Sequence, residues 1–154
     1  MIIQNVEFQD LSQINDLYRY FETRDPPPVP GLIEQIWANI QKISGLVYIV
    51  SEESNRIIST CNLTLIPNLN HSGRSFGLIE NVVTHSDYRG RRIGSSVLKF
   101  ALNIAWKKYG YKVMLLTGSK KEETLCFYEK AGFLKGIKTG FIAYSADNLP
   151  GFNS

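Results

Sequence analysis

The stretch Asn81-Val82-Val83-Thr84-His85-Ser86-Asp87-Tyr88-Arg89-Gly90-Arg91-Arg92-Ile93-Gly94-Ser95-Ser96 decides how the rest of the chain is read. Its first residues close an apolar, β-branched run that begins at Phe76 and reads as a strand. A short polar loop follows, and then Ile93, Val97, Ala101, Ile104 and Ala105 recur at helical spacing in a long helix that runs to Tyr109. The junction gathers Arg89, Gly90, Arg91, Arg92 and Gly94 at one helix start. Such a start carries unpaired amides and partial positive charge, so it attracts phosphate. Glycine lets the backbone come close to a ligand, and arginine adds charge and bidentate donors. Physically this is a pyrophosphate cradle; the competing interpretation is a solvated basic helix start with glycines for turn geometry. Neither a GxxxxGK[ST] loop nor a GxGxxG fingerprint is present.

Working outward, Ile2 to Phe8 reads as a first strand, and Leu11, Ile14, Leu17, Tyr18 and Phe21 mark a helix opened at Asp10. Pro26 to Gly31 cannot continue that helix, because proline lacks the amide donor. Leu32, Ile33, Ile36, Trp37, Ile40 and Ile43 form the apolar stripe of a second helix. Leu46–Val50 and Ile57–Ile66 flank the turn cluster Glu52–Asn55 and predict a hairpin. Beyond the long helix, Val113–Leu116 reads as a buried strand of the parallel kind. Ser119 and Glu122 have capping-box spacing before a helix that Gly132 ends. Phe133 to Tyr144 supplies one or two final strands. The expectation is one α/β (mixed α+β) domain over residues 1–154, a twisted mixed sheet of six to seven strands flanked by about four helices.

The 154 residues are 44% hydrophobic and 20% charged, enough for a real core and incompatible with a disordered chain. Cys61 and Cys126 are far apart, giving neither a disulfide framework nor a zinc site, so a reducing, cytoplasmic setting is expected and no metal. No run approaches the roughly 18 apolar residues of a membrane span, and the first residues do not read as a signal peptide. A net charge of +3 is too mild to argue for nucleic acid, and aromatic platforms do not interleave the basic stretch.

A second motif, Thr124-Leu125-Cys126-Phe127-Tyr128-Glu129-Lys130-Ala131-Gly132-Phe133, is by itself an amphipathic helix with a glycine stop. Together with Arg89-Gly90-Arg91-Arg92-Ile93-Gly94 it resembles the GNAT N-acetyltransferase superfamily, whose signatures are (Q/R)-x-x-G-x-(G/A) and a later F/L-Y-E-K-x-G-F. Arg92 replaces the usual inner glycine, and Lys121 replaces the usual leading asparagine of the second motif.

The resemblance implies acetyl-CoA as cosubstrate, with the backbone of Val82, Val83 and Thr84 pairing with pantetheine and Arg89, Gly90, Arg91, Arg92, Ile93, Gly94 and Ser95 forming the cradle. Lys120 or Lys121 then meets the 3′-phosphate, and a strand amide near Val83 polarises the thioester carbonyl. Tyr128 matches the family's general acid, and Glu80, mid-strand, is the candidate base, with an ordered water as its rival. A similar Ile-Glu strand occurs in glucosamine-6-phosphate acetyltransferases of the superfamily, so Glu80 also lines the acceptor site in this reading. His71 and His85 sit in ordinary polar loops, and Cys126 has no His/Asp set to make it a nucleophile. The acceptor pocket falls to the first two helices, their Pro26–Pro30 connection, the Pro67–Arg74 loop and the C-terminal strands, with Tyr18, Tyr20, Phe21 and Trp37 either shaping it or belonging to the core. The expected activity is direct acetyl transfer to a primary amine of a small molecule; the competitor is an inactive acyl-CoA-binding module of the same fold, and a homodimer stays open.

Overall fold

The computed structural model describes residues 1–21 and 29–145, the side chains of Tyr20 and Phe21 excepted. Within them the order is β1 (Ile2–Asn5), α1 (Leu11–Phe21), α2 (Leu32–Ile40), β2 (Leu46–Glu53), β3 (Arg56–Ile66), β4 (Phe76–Thr84), α3 (Ile93–Lys107), β5 (Lys112–Leu115) and α4 (Glu122–Lys130). The expected Pro26–Pro28 part of the connection, and the Tyr20 and Phe21 side chains assigned to the acceptor pocket, lie outside the described residues.

The strands form one sheet in chain order, β1-β2-β3-β4-β5. Its first four strands run antiparallel, and β5 joins β4 in parallel. The β2–β3 hairpin turns through Ser54 and Asn55, both left-handed at φ 52° and 61°, as a tight turn between right-twisted strands requires. Gln13 fixes α1 to that turn: its side-chain oxygen accepts from the Ile57 amide at 3.0 Å.

Two cores follow from the pleat. On one face Ile49, Cys61, Leu63, Leu65 and Ile79 pack against Val97, Leu98, Ala101 and Ala105 of α3, with α4 beside it. On the other, Val6, Val50, Ile57 and Val83 pack against Ile14 and Leu17 of α1. The second helix forms where its stripe predicts but buries none of its residues, touching the sheet through Trp37, whose ring stands edge-on to Tyr48 at 6.1 Å.

Two expectations are corrected. The sheet holds five strands among the described residues, not six to seven, because residues 133–145 form no strand. Gly136 turns this segment at φ 77°, and Leu134 and Phe141 are 80% and 90% exposed rather than packed on a neighbour. It passes the end of β5, where a Cβ on Gly140 would stand 2.9 Å from Leu116, without joining it. The capping box is also not made. The fourth helix starts at Glu122 behind Lys121, so Ser119 lies too early; its hydroxyl instead accepts from the Lys121 amide at 3.3 Å.

Candidate active site

The site grows from an irregularity in β4. Thr60 faces Val83 and Asn62 faces Glu80, so β4 spends one more residue than β3 over the same span. The extra residue is Asn81, left-handed at φ 54°, a bulge that a short amide side chain tolerates better than its β-branched neighbours would. Without it Glu80 and Val82 would share a face. With it Val82 packs towards α3 and α4, while Glu80 stays beside Asn62 on the α1 face.

The bulge coincides with a parting of strands. Phe76 to Ile79 pair with Lys112 to Leu115, and there β5 ends while β4 continues to Thr84. Backbone alternation fixes what faces the opening. The His85 amide donates to Ile58 O at 2.9 Å, so His85 and Val83 direct their polar groups at β3. Val82 and Thr84 therefore direct theirs at the gap. The Val83 carbonyl is further engaged by the Ser59 hydroxyl at 2.9 Å. The strand amide expected near Val83 is thus offered to the gap by Val82.

At the far end of the gap stands the N-terminus of α3. Its cap residue, Arg92, is left-handed at φ 62° and makes no side-chain cap, and Gly90 precedes it at φ 76°. Among the described residues no protein group accepts from the amides of Ile93, Gly94 and Ser95. The three arginines differ in what they do. Arg89 Nε donates to Thr84 O at 3.1 Å and closes the loop. Arg91 lies 3.3 Å from both oxygens of Glu53 and over the Tyr88 ring at 5.0 Å. Among the described residues nothing pairs with the Arg92 guanidinium, which leaves it available to a bound anion. Gly94 is buried, and its bare α-carbon faces Thr84 and Phe127 rather than the cradle.

Tyr128 approaches from α4, half-buried against Phe127 and Phe133 at ring distances of 4.9 and 6.4 Å. Burial first, then the Glu80 carboxylate, hold its phenol above the ordinary value of 10.0, while the nearby Thr117 hydroxyl pulls the other way. The phenol therefore keeps its proton at neutral pH, as a general acid must. Glu80 is exposed, not the buried carboxylate its mid-strand position suggests. Cys61, also near the phenol, is fully buried, and burial pushes its thiol from 9.0 up to about 12, which makes it inert.

The remaining candidates separate from this centre. His71 stacks on Tyr111 at 4.0 Å, and His85 lies 3.0 Å from Arg56 at the cradle's rim. Lys120 is exposed and Lys121 caps α4. Tyr18 and Trp37 belong to the α1 side, where among the described residues the buried Tyr18 hydroxyl has no hydrogen-bond partner. A hollow of about 260 Å³ lies under α2, lined by Trp37, Ile40, Leu46 and Tyr48 among others, and includes neither Glu80 nor Tyr128. Among the described residues no helix is long and apolar enough to cross a membrane. Sequence reasoning missed Glu53, Ser59 and Thr117. It also missed the bulge, although an asparagine between strand formers was its available signal.

The geometry agrees with what comparison finds. The profile of the acetyltransferase (GNAT) family matches residues 11–133. A glucosamine 6-phosphate N-acetyltransferase of Trypanosoma brucei brucei is 32% identical over 130 residues, covering 83% of this chain and 85% of that one. A solved structure from Agrobacterium tumefaciens str. C58 superposes with a TM-score of 0.89 at 32% identity, over 94% of this chain and 100% of that one. The glucosamine-6-phosphate N-acetyltransferase of Arabidopsis thaliana, at 23% identity and a TM-score of 0.80 over 95% of this chain and 98% of that one, shares the fold. The chain belongs to the GNAT acetyltransferase family, as an N-acetyltransferase acting on an amine.

Proposed function

We propose that this enzyme transfers the acetyl group of acetyl-CoA directly to the primary amine of a small amino sugar phosphate of the glucosamine-6-phosphate kind. One observation carries the chemistry: β5 ends opposite Ile79 while β4 runs on through Glu80 to Thr84, which leaves the edge of β4 open beyond that point. The named activity of the Trypanosoma relative supports the acceptor class.

Acetyl-CoA, when bound, supplies an activated acyl group; the chain's residues do the rest. The amides of Ile93, Gly94 and Ser95, with Gly90 and Arg92, bind the pyrophosphate in this reading. Arg89 and Arg91 hold the turn in shape, through Thr84 and Glu53. The backbone of Val82 and Thr84 pairs with the pantetheine arm as an added strand would, and the Val82 amide polarises the thioester carbonyl. An alkyl amine has a pKa near 10.4 and is mostly charged at neutral pH, so Glu80 takes its proton, directly or through a water. Tyr128 delivers a proton to the sulfur as the carbon–sulfur bond breaks and negative charge develops there, and water resupplies the phenol. Free Cys61 and Cys126 suit a reducing compartment, the cytoplasm.

The test is acetyl-CoA-dependent product formation, followed by mass spectrometry, over glucosamine-6-phosphate, glucosamine, spermidine and a lysine peptide. The sugar phosphate should exceed its unphosphorylated form by about tenfold or more in kcat/KM, as one charge-assisted contact gives. Faster acetylation of spermidine or of the peptide overturns the acceptor class, and binding of acetyl-CoA without turnover on any amine overturns the catalytic reading.

A further inference from the structure

Alternation along β3 sends Cys61 and Leu63 into the core against α3, so Asn62 between them faces the opposite side of the sheet, that of α1. It is flanked there on both sides: Tyr48 stands opposite it on β2, and Glu80 on β4. Side chains paired in this way stand about 4.5–5.5 Å apart at Cβ, so the carboxamide lies beside the Glu80 carboxylate. Asn62 is only 7% exposed. Its buried polar neighbours on β3 spend their hydroxyls on the backbone, Ser59 on Val83 O and Thr60 on Ile49 O, each at 2.9 Å. Among the described residues no hydrogen bond engages the Asn62 carboxamide. A buried amide without a partner is a cost to the fold, and a leucine of similar shape would avoid it. The strand carries an amide there all the same, next to a carboxylate that is open to solvent.

We infer that Asn62 is an acceptor-binding residue, its carboxamide oxygen accepting an N–H of the amine whose proton Glu80 takes. This rests on the reading of Glu80 as the base. An amine within reach of Glu80 lies over the α1 face of β4, and Asn62 is the side chain paired with Glu80 on that face. A primary ammonium has three N–H bonds. One proton goes to Glu80, and the electron pair it leaves on nitrogen attacks the thioester carbonyl carbon. A second N–H, donated to Asn62, fixes the direction in which that pair points. Asn62 neither gains nor loses a proton in the step. On its other side Tyr48, edge-on to Trp37 at 6.1 Å, borders the amide with ring surface rather than a second charge.

The test is steady-state kinetics of Asn62→Leu with glucosamine-6-phosphate as the amine, read as kcat and both KM values with melting temperatures alongside. The kcat/KM for the amine should fall by about tenfold, the worth of one hydrogen bond left unmade. The KM for acetyl-CoA should stay within about twofold. The variant should melt at or above the wild-type temperature, because an unpartnered buried amide is gone. Asn62→Ala carries the same kinetic prediction and decides the matter should the leucine variant not fold. A wild-type kcat/KM for the amine would overturn the inference. So would a leucine variant that melts lower and whose KM for acetyl-CoA rises as much as that for the amine, the mark of a packing residue. If Glu80→Gln runs at the wild-type rate while Asn62→Leu is slow, the base assignment fails and Asn62 stands. If the wild type acetylates spermidine but not the sugar phosphate, the acceptor class fails, and the same comparison on spermidine decides Asn62. Acetylation of no amine at all would end both readings.

Discussion

Gly94 and Phe127 are in contact: a Cβ built on Gly94 would stand 3.2 Å from the ring of Phe127 and 2.9 Å from Thr84 Oγ1. The two motifs that mark the family thus touch each other, and the glycine exists for that packing as much as for a phosphate. Gly94→Ala should cost about 1–3 kcal/mol as an overpacked contact. Because α3 must then move off β4, its acetyl-CoA affinity should fall together with its melting temperature. Thermal melts with and without acetyl-CoA check both; an alanine variant that melts like the wild type would mean that α3 shifts freely.

Arg92 holds φ 62° at the cap of α3, where the family pattern has glycine. A left-handed non-glycine residue costs about 1–2 kcal/mol, partly offset because glycine leaves the unfolded chain more freedom. Arg92→Gly should therefore stabilise the fold by up to about 1 kcal/mol in denaturant titration. The same change removes the unpaired guanidinium, so acetyl-CoA should bind more weakly and with a shallower salt dependence. Tighter binding by the glycine variant would show that Arg92 does not touch the ligand.

Asn81 tests the bulge. At φ 54° a β-branched side chain is strained, so Asn81→Val should lose about 1–2 kcal/mol. Its kcat should drop further than its stability explains, since a straightened β4 would bring Glu80 and Val82 onto one face. Asn81→Gly keeps the conformation and should retain most of the activity. Equal rates for both variants would separate the bulge from catalysis.

The fold's alkaline limit has a defined origin. The Cys61 thiol, ordinarily at 9.0, is raised to about 12, and the Tyr18 and Tyr128 phenols are also raised, each chiefly by burial. The unfolded chain therefore releases protons above about pH 9 that the folded chain retains. Stability must fall as pH rises from there, with Cys61 alone contributing a slope of about 1.4 kcal/mol per pH unit up to its folded value. Melting temperatures of wild type and Cys61→Ala between pH 8 and 11, as a rough range, should converge as pH rises; parallel curves would remove Cys61 as the cause.

Much of this was legible in the sequence. Helical spacing from Ile93 and the β-branched run through Val82 and Val83 placed the strand-to-helix turn that the structure contains. The hairpin and the parallel β5 were equally readable, because turn residues and short apolar runs carry their own signals. What escaped was tertiary. Leu134, Ile137, Phe141 and Ile142 have the composition of a strand, but strands need a partner, and composition does not supply one. Ser119 and Glu122 have capping-box spacing, yet the helix starts two residues later than such a cap requires. The division of labour among Arg89, Arg91 and Arg92 depends on Thr84 and Glu53, which only the folded chain brings near. Glu80 is legible from its place in the strand, while its exposure depends on how the elements pack around it, which the sequence does not state.

The central claim is that acetyl transfer takes place in the β4–β5 gap with Tyr128 as its acid. Steady-state kinetics of Tyr128→Phe test it most directly, since the change removes one hydroxyl from a half-buried ring and leaves the α3 cradle intact. The account predicts a kcat lower by about a hundredfold, at the small end of general-acid contributions, with the KM for acetyl-CoA within about twofold of the wild type. An unchanged kcat, or a loss carried entirely by a raised KM for acetyl-CoA, would contradict it.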